Sequence, residues 1–324
     1  MLNATETAGQ EFVIVADGLV KRYGDFTAVN GVSFEVRGGE VFGLLGPNGA
    51  GKTTTMEMIE GLRRPDGGTA RVAGFDTKKE LDRVKAVIGV QLQSTSLFDL
   101  LTVREITEMY ASFYKASVPV GPLLESMILS EKLNGRVKHL SGGQKQRLAI
   151  ALALVNDPLV VFLDEPTTGL DPQARRTLWD IVLRLKEQGK TVVLSTHYMD
   201  EAHVLCDRIC LMDQGKVIAL DTPDGLIRSL QADQTIEFQI GDYGAMPEEA
   251  RTGLRSLVSG AGGVKQTEVR GERFVLYTDS VQRTLTDLIA LSQEHEWKLH
   301  ELSTRSATLE DVFIQMTGRS LREA

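Results

Sequence analysis

The octapeptide "GPNGAGKT" at residues 46–53 follows the apolar run "VFGLL" and precedes "TTMEMIEGL", whose spacing is helical until Gly61. Its pattern is G-x-x-x-x-G-K-T. Across Gly46, Pro47, Asn48, Gly49, Ala50 and Gly51 the glycines let backbone N–H groups close on phosphate oxygens. A helix opening at this loop adds the partial positive charge of its N-terminus. Lys52 is placed to reach the β- and γ-phosphates and Thr53 to ligate Mg2+, with Thr54 next in the first turn. The stretch therefore specifies a strand–loop–helix unit built for a nucleoside triphosphate.

Outward from this loop, strands alternate with helices from about residue 40 to 222, the mark of a mostly parallel sheet covered on both faces. Upstream, "FVIV", "VSFEV" and "EVFGLL" read as strands broken by turns such as "RGGE". Downstream, a Pro-Asp-Gly-Gly turn precedes the strand "TARVAGF". Residues 94–136 change character: "TVREITEMYASFY" and "PLLESMILSEKL" are helical, separated by "VPVGP". "LVVFLDE" and "TVVLST" read as central buried strands, with the amphipathic helix "RRTLWDIVLRLKEQGK" between them. "RICLMDQGKVIAL" reads as a hairpin. After "TPDGL" the order becomes strand, helix, strand, strand, helix, strand, from "QTIEFQI" to "WKLHEL", closed by the helix "TLEDVFIQMTG". That is the order of a split βαβ, ferredoxin-like unit. The expected division is a frayed tail at 1–11, a nucleotide-binding domain at 12–227 with a helical subdomain at about 94–150, and a smaller α+β domain at 228–324.

Composition narrows the function classes. A net charge of −8, with basic pairs scattered along the chain, argues against a nucleic-acid partner. The longest apolar run, "LAIALALV" at 148–155, is far short of the roughly 20 residues that cross a bilayer. The first residues lack the basic flank and long apolar core of an export signal. Cys206 and Cys210 are too few for a disulfide framework or a four-ligand zinc site, and read as buried thiols.

The strand "LVVFLDE" ends in two acids. Asp164 stands where a Mg2+-side carboxylate is expected, at the C-terminal edge of the sheet. Glu165 follows it, and since a strand turns successive side chains to opposite faces, only a local bend lets both serve one site. Its expected role is general base, or the group polarising the water that attacks the γ-phosphate. A cluster of His197, Asp200, Glu201 and His203 has metal-ligand chemistry, but the strand before it aims His197 at the nucleotide and leaves the others on a solvated helix.

A second glycine-rich helix start, "LSGGQ" at 140–144, has no use in a single phosphate cradle. It resembles the signature of ABC-type ATPases, and five other elements then stand in family order: Tyr23 in "KRYGDFTAVNGVSF", the loop at 46–54, Gln93 before "STSLFDLLTVRE", "LDEPTTGLDP" at 163–172, and His197 after "LST". The resemblance covers about residues 12–225. It implies that Ser141, Gly142, Gly143 and Gln144 cap ATP held by a second copy in a head-to-tail dimer, and that Asp171 touches that copy's site. It implies that Tyr23 stacks on adenine and that His197 hydrogen-bonds the γ-phosphate. Gln93 would link the Mg2+ site to the helical segment; Gln91 competes for that role, though Gln93 has the family spacing to Thr102.

The same resemblance makes ATP and Mg2+ the expected cofactors and a separately encoded integral-membrane permease the expected partner. The chain would then sit at the cytoplasmic face of the membrane, docked through the helical segment. "LDTPDGL", the split βαβ pattern and "ATLEDVFIQMTGRSLRE" are similar to the ATP-binding subunits of daunorubicin-type drug-resistance exporters. Efflux of a drug, antibiotic or other hydrophobic compound is the resulting expectation. Two alternatives stand beside it: a cytosolic ABC ATPase such as one for cluster assembly, and a non-hydrolysing nucleotide-binding regulator.

Overall fold

A computed structural model describes residues 12–93, 97–230, 232 and 234–318. The expected tail at 1–11, Ser94 to Ser96 at the start of the expected helical segment, and the closing "RSLRE" lie outside them. Two compact units divide the chain, one running to Pro223 and the other spanning Asp224–Ser320.

The first unit contains β1 (Phe12–Tyr23), β2 (Phe26–Arg37), β3 (Val41–Leu45), α1 (Lys52–Ile59), β4 (Gly67–Val72), β5 (Phe75–Asp76), α2 (Leu81–Val87) and β6 (Ile88–Gln91). It continues through α3 (Val103–Ala111), α4 (Val120–Ser126), α5 (Gly142–Ala153), β7 (Val160–Asp164), α6 (Pro172–Glu187), β8 (Thr191–Thr196), α7 (Met199–Leu205), β9 (Arg208–Asp213) and β10 (Lys216–Asp221).

The central sheet has the order β10–β9–β3–β8–β7–β6. Its strands run parallel except for the β9–β10 hairpin at one edge. Every residue of β3, β7 and β8 is buried, as continuous apolar runs require when helices cover both faces. Burying each of Val160, Val161, Phe162 and Leu163 contributes about 1.5–3 kcal/mol relative to exposure. A second, antiparallel sheet, β2–β1–β4–β5, shares a core with the first, in which the rings of Phe34 and Phe42 stack at 5.1 Å.

Strand order decides where function can gather. β3, β8, β7 and β6 are successive neighbours, and their last residues lie in register: Leu45 beside Thr196, Asp164 beside Ser195, Gln91 beside Leu163. The segments leaving these four strands, which carry the glycine-rich loop, His197, Glu165 and Gln93, therefore emerge side by side.

The helical segment departs from its expected form. Thr102 caps α3 through a reciprocal capping box with Glu105. The helix expected over "PLLESMILSEKL" stops at Ser126, and Ile128 turns to a φ of +56°. Arg147 of α5 explains the stop: its Nη1 donates to the carbonyls of Met127 and Ile128 at 3.1 and 2.9 Å, satisfying acceptors that a continued helix would have used.

In the second unit α8 (Pro223–Arg228) and β11 (Gln234–Ile240) lead to α9 (Glu248–Ser259), β12 (Val264–Arg270), β13 (Arg273–Thr278), α10 (Val281–Glu294), β14 (Leu299–Ser306) and α11 (Leu309–Thr317). The boundary between the two compact units falls within α8, between Pro223 and Asp224. The sheet order is β12–β13–β11–β14, antiparallel throughout. Ile236, Phe238, Phe274 and Leu276 face α9 and α10 and pack against Leu254, Val258 and Leu288. The alternate residues of β13, Val275 and Tyr277, point to the opposite side.

There Asp311 of α11, fully buried, accepts from Tyr277 Oη at 3.1 Å and from Arg305 at 2.6 and 2.9 Å. Burial alone would raise its pKa, but the Arg305 hydrogen bonds and charge, with the Thr308 bonds, hold it below the ordinary value of 3.8. Because the folded value is depressed, this stabilisation is present above about pH 4 and disappears as pH falls through the folded value. Asp311→Ala should destabilise the second unit by about 2 kcal/mol at neutral pH, since half-exposed Arg305 retains Glu237 and water. Denaturation followed by Trp297 emission in a Trp179→Phe background measures the loss, and the deficit should shrink when the titration is repeated near pH 3.

Candidate functional site

The phosphate loop leaves β3 at Gly46 and enters α1 through Gly51, whose φ of +96° is open to glycine at no steric cost. A Cβ at Gly51 would also stand 2.5 Å from the Ala28 carbonyl oxygen. Gly46, Pro47 and Ala50 are buried, and Asn48 and Gly49 form the exposed tip. Thr53 and Thr54 open the first turn of α1 behind Lys52.

Lys52 is buried and its Nζ donates to the carbonyls of Gly46 and Pro47 at 2.8 and 2.9 Å. Burial lowers its pKa, opposed by the charges of Glu165 and Asp164. Glu165 Oε1 lies 3.9 Å away. Thr53 Oγ1 donates to Asp164 Oδ1 at 3.2 Å, and Ser195 Oγ donates to the same oxygen. Burial raises the Asp164 pKa against the pull of these two hydroxyls.

The two acids serve one place because the chain bends between them. Glu165 takes a φ of +46°, and its N–H donates to the carbonyl oxygen and hydroxyl of Ser195 at 3.2 and 2.9 Å. Its carboxylate then accepts from Gln93 Nε2 at 3.0 Å and Thr168 Oγ1 at 3.3 Å, with His197 Nδ1 at 3.5 Å. Gln93 is thus the glutamine that reaches the acids. Gln91 is buried, and its amide donates to the carbonyl of its neighbour Leu92.

Lys52, Thr53, Asp164, Glu165, Gln93 and His197 converge on one spot. Ser141, Gly142, Gly143, Gln144, Asp171 and Tyr23 make no hydrogen bond or ion pair with that group among the described residues. Ser141 caps α5 in a capping box with Gln144 at 3.3 and 2.9 Å. Asp171 caps α6, accepting from the N–H groups of Gln173 and Ala174. These two helix starts are neighbours: a Cβ on Gly143 would lie 2.9 Å from Ala174 Cβ. Tyr23 ends β1 with its ring 43% exposed, the Arg63 guanidinium 5.4 Å from its centroid.

Sequence reasoning missed three residues. Ser195 and Thr168 touch the acids, and their only signal was their position beside His197 and Glu165. Glu201, expected on a solvated face, is fully buried, because α7 turns Glu201, Ala202 and Leu205 inward. Among the described residues there is no cluster of three or more His, Cys, Asp or Glu that could hold a metal ion. Both cysteines are buried and free.

The Thr53 hydroxyl, the Asp164 carboxylate and the Gln93 amide oxygen are hard donors suited to Mg2+, which takes few protein ligands and completes its shell with phosphate and water. A family model described as ABC transporter matches residues 29–168. The Nod factor export ATP-binding protein I of Paraburkholderia xenovorans is 41% identical over 319 residues, covering 97% of this chain and 99% of that protein. This chain belongs to the ABC transporter ATP-binding family. The namesake protein of Ralstonia nicotianae is 38% identical over 97% of both chains. Among solved structures, the dimeric post-hydrolysis state of the cassette MJ0796 bound to ADP and Pi aligns at a TM-score of 0.59 and 28% identity, covering 64% of this chain and 98% of that one.

The ABC cassette binds ATP with Mg2+ and is an ATPase. No helix among the described residues is long and apolar enough to cross a membrane. The adenine stacking that the resemblance implies for Tyr23 predicts that Tyr23→Ala weakens ATP affinity about 5- to 150-fold, the equivalent of ~1–3 kcal/mol, while leaving inorganic triphosphate binding unchanged. Competition against a fluorescent ATP analogue reads both.

Proposed function

We propose that this ABC subunit powers export of a hydrophobic compound through a separate membrane permease, working as an ATP-dependent head-to-tail pair of identical chains. The observation that carries the shared-site half of this reading is the split among the motif residues. One group converges around Glu165 and Lys52, while the capped starts of α5 and α6, with Ser141 and Asp171, make no hydrogen bond or ion pair with it among the described residues. A helix N-terminus with glycines in its first turn offers N–H donors to an anion, and the γ-phosphate of a facing chain's ATP fits that chemistry.

In this reading the loop 46–54 holds the phosphates and Tyr23 the base. Thr53, Asp164 and Gln93 would hold Mg2+, which would supply positive charge to the phosphate groups. Glu165 accepts a proton from the attacking water as its oxygen bonds to the γ-phosphorus. The bond to the β-phosphate bridging oxygen breaks, leaving ADP and phosphate. Lys52 and His197 stabilise the charge developing on the γ-oxygens. Loss of that phosphate removes the group that both chains grip, so the pair separates.

Export is supported by full-length similarity to proteins named for Nod factor export and by the resemblance to daunorubicin-type exporters. The permease contacts the cargo, so a drug, an antibiotic or another hydrophobic compound can share one engine. Phe98, Leu100 and Phe113 in the helical segment are exposed apolar side chains suited to a permease's cytoplasmic segment, which would hold the chain at that membrane face. Asp224–Ser320 is read as an accessory domain. The cytosolic alternative gives no account of those exposed apolar groups.

Glu165→Gln should bind ATP yet stall hydrolysis, so that ATP·Mg2+ drives a lasting dimer in size-exclusion chromatography. A variant that binds ATP but elutes only as monomer contradicts the shared site. Lys52→Ala and Ser141→Arg chains, each inactive alone, should recover part of the ATPase rate when mixed, since one composite site is then intact on both sides. Heterodimers with no recovered rate would refute that arrangement, and an adjacent reading frame without membrane spans would count against transport.

A further inference from the structure

Glu201 is a buried acid to which the reaction above gives no role. α7 places it with Ala202 and Leu205 on the inward face, where an apolar side chain would fit without the penalty of burying a charge. Trp179 Nε1, on α6, donates to its Oε1 at 3.0 Å. The hydroxyls of Thr196, the last residue of β8, and Thr167, at the start of the partner-facing loop, both act on the same carboxylate. Glu201 Oε2 and Thr167 Oγ1 are nonetheless buried without a well-formed hydrogen bond. Two neighbouring groups are thus each one bond short, and a small shift of segment 167–171 would join them.

A second link runs beside the first. The ring of His197 packs against Tyr198 with centroids 4.2 Å apart. The Arg175 guanidinium lies over the other aromatic ring at 4.3 Å from its centroid, and its Nη1 is 3.7 Å from Asp200. Arg175 and Trp179 are one turn apart on α6, the helix that Asp171 caps. The segment bearing His197 and the segment bearing Asp171 are therefore bridged twice through α6 and α7.

We propose that Glu201 is a positioning residue that couples the phosphate-sensing segment 195–198 to the partner-facing segment 167–171, with Thr167 as the movable contact. Resting on the shared-site reading, this makes one chain's hold on its own γ-phosphate set the surface offered to the other chain. Thr167→Val removes the hydroxyl at nearly constant volume, Thr167→Ser restores it, and Glu201→Gln removes the charge at constant shape.

The test uses the full chain with Trp297→Phe, leaving Trp179 as the single tryptophan of the two in the sequence. In the Glu165→Gln background, ATP·Mg2+ should shift Trp179 emission. Thr167→Val and Glu201→Gln should abolish that shift, and Thr167→Ser should restore it. With Glu165 intact, both variants should lower kcat about tenfold while KM for ATP stays within about twofold. Thr167→Val should melt within about 3 °C of the parent, which separates coupling from loss of fold. A Thr167→Val chain that keeps both the emission shift and kcat overturns the proposal, as does a kcat loss that Thr167→Ser fails to rescue. A Glu165→Gln chain that stays monomeric with ATP overturns the shared site and this coupling with it, whereas a dimer in which Trp179 emission is unmoved overturns the coupling alone.

Discussion

The site depends on the turn of the backbone between Asp164 and Glu165. Without it, two successive strand residues would point to opposite faces, and only one acid could reach the group around Lys52. A left-handed φ at a non-glycine residue costs about 1–2 kcal/mol. Here the Glu165 N–H makes one bifurcated hydrogen bond to the Ser195 carbonyl and hydroxyl, contributing roughly 1 kcal/mol against that strain. Ser195 also holds Asp164 from the neighbouring strand, so one small side chain orients both acids.

The parallel sheet makes this possible by supplying adjacent strand ends. β3 delivers the phosphate loop, β8 the His197 segment, β7 the acids and β6 the segment of Gln93, in spatial order. No one of these connections needs to be long. The helical segment follows β6 in the chain, and its helices α3 and α4 pack on α5.

The phosphate loop, the acids, the signature helix and nearly every strand were legible because each is a local pattern: a glycine spacing, an apolar run, a cap. What escaped depends on partners distant in sequence. α4 is shorter than its periodicity suggested because Arg147, about twenty residues on, claims its last carbonyls. Glu201 looked solvated because its neighbours Asp200 and His203 are polar. Its spacing of four from Leu205 was the sign that it faces inward. Ser195 and Thr168 carry no motif of their own, and only the bend at Glu165 brings them to the acids. The positions of Ser141 and Asp171 on a shared face depend on α5 packing on α6, which no single helix discloses.

That packing has a quantitative edge. Carbon atoms settle at about 3.5–4.0 Å, whereas a methyl group on Gly143 would stand only 2.9 Å from Ala174. The missing carbon therefore acts as a ruler between two helix mouths, and an alanine at 143 would widen the gap by roughly half an ångström. Such a chain would still fold and still grip its own fuel. Under the shared-site proposal its flaw would be invisible in solitude and felt only in company, as a facet slightly too broad to seat another molecule's triphosphate.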